Sequence, residues 1–100
     1  MIRIPKKRQP THPGEMLFLE FLHPMEITQR QLADAIKVPY QRINEIINQK
    51  RGITPSTALR LGKFFGVPAS FWMNLQLRWD LYQAQKKEIF FLDSIQQFRK

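Results

Sequence analysis

The stretch "TQRQLADAIKVPYQRINEIINQKR", residues 28–51, carries two short helical patterns on either side of a tight turn. Thr28 and Gln31 have the spacing of a capping box, in which each side chain bonds to the backbone N–H of the other at a helix start. The apolar residues recur three and four positions apart, as one buried helical stripe does: Leu32, Ala33 and Ile36, then Ile43, Ile46 and Ile47. The stretch therefore predicts two helices, the second from about Pro39 to Asn48.

The second helix has an outer face that solvation alone does not explain. A solvated face usually carries lysine and glutamate, whereas this one carries a mixed polar set in its first turns: Tyr40, Gln41, Arg42, Asn44 and Glu45. A helix that enters the DNA major groove must offer hydrogen-bond donors and acceptors to base edges from those turns. Small Ala33 suits a close helix crossing, so the pair predicts a helix-turn-helix. A hairpin of two helices with a solvated polar face is the alternative.

Each polar side chain of this helix suits a particular contact with DNA. Gln41 and Asn44 can each pair with two atoms of an adenine, and the Tyr40 ring can cover a thymine methyl group while its hydroxyl reaches a base or a phosphate. Arg42 sits more laterally and suits a guanine or a phosphate. Four residues at the start of the first helix and beyond the second are expected to flank the groove and bind the backbone: Gln29, Asn48, Lys50 and Arg51.

The composition supports an anionic partner. The chain has 100 residues, of which 43% are hydrophobic, enough for one folded domain with a single core. It has 16 Lys and Arg against 8 Asp and Glu, which gives a net charge of +8 and a pI near 10.3. A charge this positive on a small domain favours nucleic acid first, with a membrane surface or an acidic protein as alternatives.

Several kinds of function lack support in the sequence. There is no cysteine, which excludes disulfides, thiol catalysis and thiolate metal sites. The two histidines, His12 and His23, are not grouped with other metal ligands, and no nucleophile lies beside a plausible base, so we expect no enzyme, metal or cofactor. No apolar run is long enough to span a membrane, and prolines interrupt the basic N-terminus, so we expect a soluble cytoplasmic protein without a membrane partner.

Patterns outside this stretch predict an all-α protein of five helices. Pro13 opens the first helix in its favoured early position, and Pro24 is predicted to end it. Thr54 caps the fourth helix, and Gly66 stops it. The fifth begins a few residues later and runs to about Gln85.

The chain divides into three predicted regions. Residues 1–12 form a basic arm, residues 13–85 form the helical DNA-binding domain, and residues 86–100 form a C-terminal extension. The extension contains a helical stripe and more apolar area than a free tail should expose, so it is a candidate dimer or partner contact. We expect Trp79 and Tyr82 to join that contact and Trp72 to pack in the core.

Four sequence motifs together resemble one known family. They are "HPGEML" at 12–17, "TQRQLADAI" at 28–36, "KRGITPSTALRLGKFFG" at 50–66 and "FWMNLQLRWDL" at 71–81. Over about residues 13–84 the chain resembles the lambda-repressor-like, or XRE, helix-turn-helix domain in its HigA/VapI antitoxin branch. A helix-turn-helix alone is shared by many families, but the four motifs in this order are specific to the branch.

The resemblance implies an antitoxin of a type II toxin–antitoxin system. Such a protein is a homodimer that binds a DNA operator, often represses its own operon, and neutralises a toxin resembling the HigB/RelE ribonucleases. Together, the sequence pattern and the resemblance predict these DNA contacts: Thr28, Gln29, Pro39, Tyr40, Gln41, Arg42, Asn44, Glu45, Asn48, Lys50 and Arg51. The resemblance assigns Gln29 to bracing the DNA backbone, Pro39 and Glu45 to the groove along with the base-reading residues, and the last three residues to phosphates.

Two other functions and one departure from the family pattern stay open at this point. The alternatives are a stand-alone XRE-type repressor and a toxin-binding module with little DNA binding. The departure is Lys37, which stands in the turn where the family usually has glycine; a left-handed backbone there would cost on the order of 1 kcal/mol. A RelE-like toxin is generally basic, so we expect it to bind the acidic face of the first helix, with Glu15, Glu20 and Glu26, rather than the basic arm.

Overall fold

A computed structural model describes residues 9–99 and contains five helices within them. The first, α1, has three contiguous parts: an α-helical turn Pro13–Met16, a π-helical segment Leu17–Leu22 and an α-helical turn His23–Met25. The others are α2 (Gln29–Ile36), α3 (Tyr40–Ile47), α4 (Pro55–Phe65) and α5 (Ala69–Ser94). No strand occurs among the described residues, which confirms the predicted all-α fold of five helices. Most of the predicted basic arm, residues 1–8, lies outside the described residues.

The prediction that Pro24 ends the first helix is wrong. The π-helical segment before it shifts the hydrogen bonding by one residue, so that the N–H of His23 donates to the carbonyl of Phe18. This wider turn leaves room for the ring of Pro24, which has no backbone N–H to donate within the helix. The helix therefore continues to Met25 and ends at Glu26, which adopts the left-handed conformation with φ of 54°.

The core lies where α2, α3, α4 and the first half of α5 meet α1. Its fully enclosed members include Trp72, Leu17, Leu32, Ile43 and Leu61, each with 0% exposure. Phe21 of α1 joins the aromatic part of the core, with its ring centroid 4.9 Å from that of Trp72. The predicted core position of Trp72 is thus confirmed, and the predicted stripes of α2 and α3 face inward.

Gly14 lets α1 approach α3 closely. A Cβ atom built on Gly14 would lie 1.8 Å from the carbonyl oxygen of Ile46, a distance that no side chain can occupy. His12 starts the same helix, because its Nδ1 accepts a hydrogen bond of 2.9 Å from the N–H of Gly14. The motif "HPGEML" therefore begins α1 and seats it on α3.

The last two helices divide the protein into a packed part and a projecting part. Gly66 ends α4 in the left-handed conformation, as the sequence predicts. Helix α5 continues without a break past Gln85 to Ser94, and its residues from Lys86 onward are exposed. The protein consequently measures 53 Å along one axis and 25 by 22 Å across. None of the helices within residues 9–99 has the length and apolar character needed to cross a membrane.

Candidate nucleic-acid interface

Helix α2 begins with the capping box that its sequence predicts. The N–H of Gln31 donates to the Oγ1 of Thr28 at 3.0 Å, and the N–H of Thr28 donates to the Oε1 of Gln31 at 2.9 Å. These two bonds satisfy backbone groups that a helix start otherwise leaves open. The Oγ1 of Thr28 therefore already accepts a hydrogen bond within its own helix. The hydroxyl proton remains available to donate to a phosphate.

The turn between α2 and α3 keeps a geometry that normally suits glycine. Lys37 has φ of 61° and ψ of 49°, so it adopts the left-handed conformation. The energetic cost of a left-handed backbone at a residue other than glycine therefore applies to Lys37. Arg60 of α4 supports this end of α2, because its Nη1 donates to the carbonyls of Ile36 at 2.7 Å and Lys37 at 3.2 Å. The sequence did not indicate this contact, which joins residues more than twenty positions apart.

The outer side of α3 carries four polar residues on one face. Gln41, Asn44, Glu45 and Asn48 follow the three- and four-residue spacing of a helix, opposite the enclosed Ile43 and Ile46. Arg42 lies to the side of this face and is half-buried. We call the four residues the α3 polar face.

A first chain of hydrogen bonds ties the α3 polar face to the start of α2. The amide of Asn44 donates to the Oε1 of Gln29 at 3.1 Å. Asn48 in turn donates to the side-chain oxygen of Asn44 at 3.1 Å and to its carbonyl at 2.9 Å. The predicted backbone-bracing residue and two predicted contacts of α3 are thereby held in one arrangement.

A second chain of bonds crosses the same face and ends beyond α3. The amide of Gln41 donates to the Oε2 of Glu45 at 3.2 Å, and the Nε of Arg51 donates to its Oε1 at 2.9 Å. The contact between Arg51 and Glu45 is an ion pair, and it is the one ion pair within residues 9–99. The hydrogen bond from Arg51 is the main reason that the pKa of Glu45 lies below its ordinary value; the Gln41 bond and the charges of Arg51 and Lys50 act in the same direction. Glu45 is therefore a carboxylate at neutral pH.

Tyr40, at the start of α3, pairs with Arg30 of α2. The guanidinium carbon of Arg30 lies 4.6 Å from the centre of the Tyr40 ring. A cation over an aromatic face at this distance is attractive, so the exposed ring is held at the edge of the α3 polar face. No local signal in the sequence couples Arg30 of α2 to Tyr40 across the turn.

The loop after α3 is fixed to α5 by Gln76. The Oε1 of this buried residue accepts from the N–H of Ile53 at 2.6 Å, and its Nε2 donates to the Oδ1 of Asp80 at 2.9 Å. Gly52 leaves room for the amide, since a Cβ atom there would lie 2.7 Å from the Nε2 of Gln76. Gln76 belongs to the motif "FWMNLQLRWDL", but no local sequence pattern predicts its role, because the contact joins residues more than twenty positions apart.

The predicted DNA-contact residues thus surround one surface. The exposed Pro39 begins α3, Tyr40 and the α3 polar face continue it, Gln29 and Thr28 border it at the start of α2, and exposed Lys50 and Arg51 border it on the loop. No group of His, Asp or Glu that could hold a metal ion occurs within the described part of the chain. The surface offers amide donors and acceptors between cations, which suits a polyanion with readable edges.

Residues 22–72, which contain this whole surface, match the helix-turn-helix family. The chain belongs to that family. This helix-turn-helix protein is similar to virulence-associated protein I of Dichelobacter nodosus, with 48% identity over 75 residues, or 75% of this chain and 69% of that protein. Such similarity over most of both chains confirms the branch that the four sequence motifs indicate.

Two solved structures are similar to the helix-turn-helix protein over most of its length. One is a Pseudomonas aeruginosa protein in complex with 18 bp of its operator DNA; its TM-score is 0.87, with 38% identity, and the match covers 91% of this chain and 97% of that one. The other is Pseudomonas aeruginosa antitoxin HigA with the higBA promoter, at a TM-score of 0.83 and 39% identity, covering 88% and 96%. The prediction that the chain is not an enzyme agrees with this family of regulators and antitoxins.

Proposed function

We propose that the protein is a sequence-specific DNA-binding antitoxin that represses its own operon. The observation that carries the proposal is the α3 polar face, whose Asn44 amide is bonded to α2 and whose Gln41 amide is bonded to Glu45, which the following loop holds through Arg51. A reading helix needs donors and acceptors held in position before DNA arrives, because side chains ordered in advance lose less entropy on binding.

The proposed complex has α3 in the major groove. Gln41 and Asn44 read base edges, and the Tyr40 ring contacts a thymine methyl group. Gln29 and the hydroxyl of Thr28 bind the backbone on one side of the groove, while Asn48, Lys50 and Arg51 bind it on the other. The two similar Pseudomonas aeruginosa structures support this proposal, because each contains the DNA that its own protein recognises.

Binding to the protein's own promoter is the test of this proposal. We expect tight binding to the promoter duplex and much weaker binding to a scrambled duplex of the same length. Both affinities should fall steeply with salt, since phosphate contacts release counterions. Equal affinity for the two duplexes, or affinity that does not change with salt, would refute DNA reading and leave the toxin-binding module as the better description.

We propose further that the protein is a homodimer joined through the end of α5. A pair of reading helices requires two-fold symmetry, with half-sites about 34 Å apart. The extension beyond Gln85 exposes a run of large apolar side chains, among them Phe90 at 85% and Phe91 at 69%. Trp79 is half-buried against His12, with ring centroids 4.8 Å apart, and Tyr82 is half-buried nearby on α5, so both border the proposed dimer contact.

Sedimentation of the full chain tests the dimer. We expect a dimer at micromolar concentration, and a monomer when Phe90 and Phe91 are both replaced by serine. These two side chains are exposed, so the replacement leaves the fold intact, and the thermal unfolding midpoint checks this. A monomeric wild type would reject the dimer; a dimer that survives the double replacement would reject only the role of the extension.

The proposed toxin partner is a HigB/RelE-like ribonuclease that binds α1. Three carboxylates are exposed on or next to this helix: Glu15, Glu20 and Glu26. Phe18, Leu19 and Met25 of the same helix are also 40–50% exposed, so apolar and acidic groups lie together. Such a surface suits a basic protein, and it lies apart from the α3 polar face.

Co-expression with the small protein encoded beside this gene tests the toxin contact. Replacing Glu20 and Glu26 by lysine, singly and together, should weaken and then dissolve the complex, whereas Asp34→Lys on α2 makes the same charge change as either single replacement and should leave it intact. A complex that survives the α1 replacements but is lost on deletion of residues 1–8, which carry the basic side chains of the arm and leave His12 in place, would assign the toxin contact to the basic arm. A neighbouring gene that encodes no such protein would favour a stand-alone repressor.

A further inference from the structure

The two cations that follow α3 differ in how they are held. Lys50 is exposed, and its side chain has no bonding partner among residues 9–99. Arg51 is next to it, also about half exposed, but its guanidinium is bonded to Glu45 of the α3 polar face. The loop after α3 therefore offers DNA two adjacent cations, of which Lys50 is free within residues 9–99 and Arg51 is restrained.

The backbone of Arg51 is restrained as well as its side chain. The N–H of Lys50 donates to the carbonyl of Glu45 at 2.8 Å, and the N–H of Ile53 is bound by the buried amide of Gln76. Arg51 lies between these two anchors, so both ends of this residue have fixed positions relative to α3. Its side chain consequently moves with the reading helix and not independently of it.

The bond to Glu45 leaves the phosphate-binding end of Arg51 available. The donor to Glu45 is the Nε atom, and the two terminal nitrogens bond to no other described residue. Glu45 is itself braced by Gln41, so the carboxylate holds the guanidinium in one direction. An arginine held in this way can bind a phosphate that lies at one place relative to α3, and it cannot follow a phosphate elsewhere.

We propose that Glu45 is a positioning residue that makes the phosphate contact of Arg51 depend on the specific seating of α3. This inference rests on the proposed DNA-binding function and assigns different roles to Lys50 and Arg51 within it. Lys50 binds phosphate on any sequence, because its flexible side chain can reach the backbone in a loosely seated complex. Arg51 binds phosphate when α3 is fully seated in its own operator, and therefore contributes to specificity without touching a base.

Adjacent alanine replacements in the full-length protein test the proposal. The probes are a duplex selected by the wild type from a random pool and a scrambled duplex of equal length, each titrated at several salt concentrations. Lys50→Ala should weaken both duplexes about tenfold per subunit near 0.1 M salt and reduce both salt slopes by about 0.9. Arg51→Ala should do the same on the selected duplex and leave the scrambled duplex unchanged.

Removing Glu45 should make Arg51 behave like Lys50. Glu45→Ala is expected to tighten binding to the scrambled duplex by up to about tenfold near 0.1 M salt and to steepen its slope by about 0.9 per subunit. This gain should vanish when Arg51→Ala is also present. Glu45→Gln retains an oxygen that can accept from the Nε of Arg51 and should keep more of the specificity. Asp34→Ala removes an exposed carboxylate from α2 and serves as the control for charge alone.

The outcomes separate this inference from the function on which it rests. If Arg51→Ala weakens both duplexes as Lys50→Ala does, Arg51 is an ordinary phosphate contact and the inference is wrong. It is also wrong if the gain from Glu45→Ala persists without Arg51, because simple repulsion between Glu45 and DNA would then explain it. If the wild type does not distinguish the two duplexes, the proposed function fails before these variants are compared.

Discussion

The inner and outer sides of α3 lie on the same eight-residue helix and are built on different rules. The inner side, Ile43 and Ile46, has 0% exposure and touches apolar neighbours from other helices. The outer side is polar and is held by hydrogen bonds to Gln29 and Arg51. The difference shows that one side of a short helix can stabilise the fold while the residues on its other side serve binding.

The largest effect should come from the inner side. Ile43→Ala removes enclosed methyl groups from the centre of the helix-turn-helix and should lower the free energy of unfolding by about 2–5 kcal/mol. Chemical denaturation measures the loss, with Gln41→Ala on the outer side of the same helix as the matched control. A loss of less than about 1 kcal/mol for Ile43→Ala would contradict the role of the inner side of α3 in stabilising the fold.

The next effect should be confined to the outer side. Asn44→Ala should cost about 1–3 kcal/mol in binding to the preferred duplex and relax the base preference at one position per half-site. It should change the unfolding free energy by no more than about 1 kcal/mol, because the bonds it loses lie at a half-exposed surface. Asn74→Ala on α5 replaces an exposed asparagine away from this surface and should leave binding unchanged. If Asn74→Ala weakened binding as much as Asn44→Ala, a special role for the outer side would be excluded.

The inner and outer sides of α3 were predictable because their signals are local. The capping box of Thr28, the stripe of isoleucines and the polar residues between them all occur within one short stretch of sequence. Arg60, Gln76 and Arg30 were not predicted, because each acts through a contact with residues distant in sequence or across a turn. The extra length of α1 beyond Pro24 was missed for another reason: a π-helical turn has no clear sequence pattern.

The predicted DNA contacts were selected by residue type and family resemblance, and their mutual bonds could not be foreseen. Sequence spacing places Gln41 and Glu45 on one face of a helix, but it does not show that Arg51 reaches back to Glu45 from the following loop. The path of that loop depends on Gly52 and Gln76, which belong to different motifs. Tertiary packing therefore determines how the predicted contacts work together.

A smaller effect is expected at the turn that joins the two helices. Lys37 adopts a left-handed backbone, which costs a residue with a side chain about 1–2 kcal/mol, whereas glycine avoids this strain but loses more freedom on folding. Lys37→Gly should therefore stabilise the fold by up to about 1 kcal/mol. Lys63→Gly, in the interior of α4, should instead destabilise it by about 1 kcal/mol. Stabilisation by both replacements, or by neither, would contradict this account of the turn.

The smallest effect should be a pH dependence at the start of α1, the helix that packs against α3. Burial lowers the pKa of His12 from its ordinary value of 6.5, although the nearby carboxylates of Asp80 and Glu15 act in the opposite direction. The neutral ring is the one whose Nδ1 can accept from Gly14, and the unfolded chain binds the proton more readily. This contribution to stability is complete above about pH 6.5 and is lost as the pH falls through the lowered pKa of the folded protein.

Denaturation at pH 7.5 and pH 5 measures this contribution of His12, because these values lie about one unit above and about one and a half units below its ordinary pKa of 6.5. We expect the wild type to lose more stability between the two than His12→Asn, whose side-chain oxygen can still accept from Gly14 at both values. An equal loss in the two proteins would assign the pH dependence to other groups.

The most direct test of the central claim, that the outer side of α3 reads DNA, compares the binding sites chosen by two proteins. Wild type and Asn44→Ala are each used to select duplexes from a random pool at the same salt concentration. We predict that the wild type selects a two-fold symmetric site with half-sites about 34 Å apart, and that Asn44→Ala selects the same site with preference lost at one position in each half. Identical preferences for both proteins, or no preferred site for the wild type, would contradict the claim.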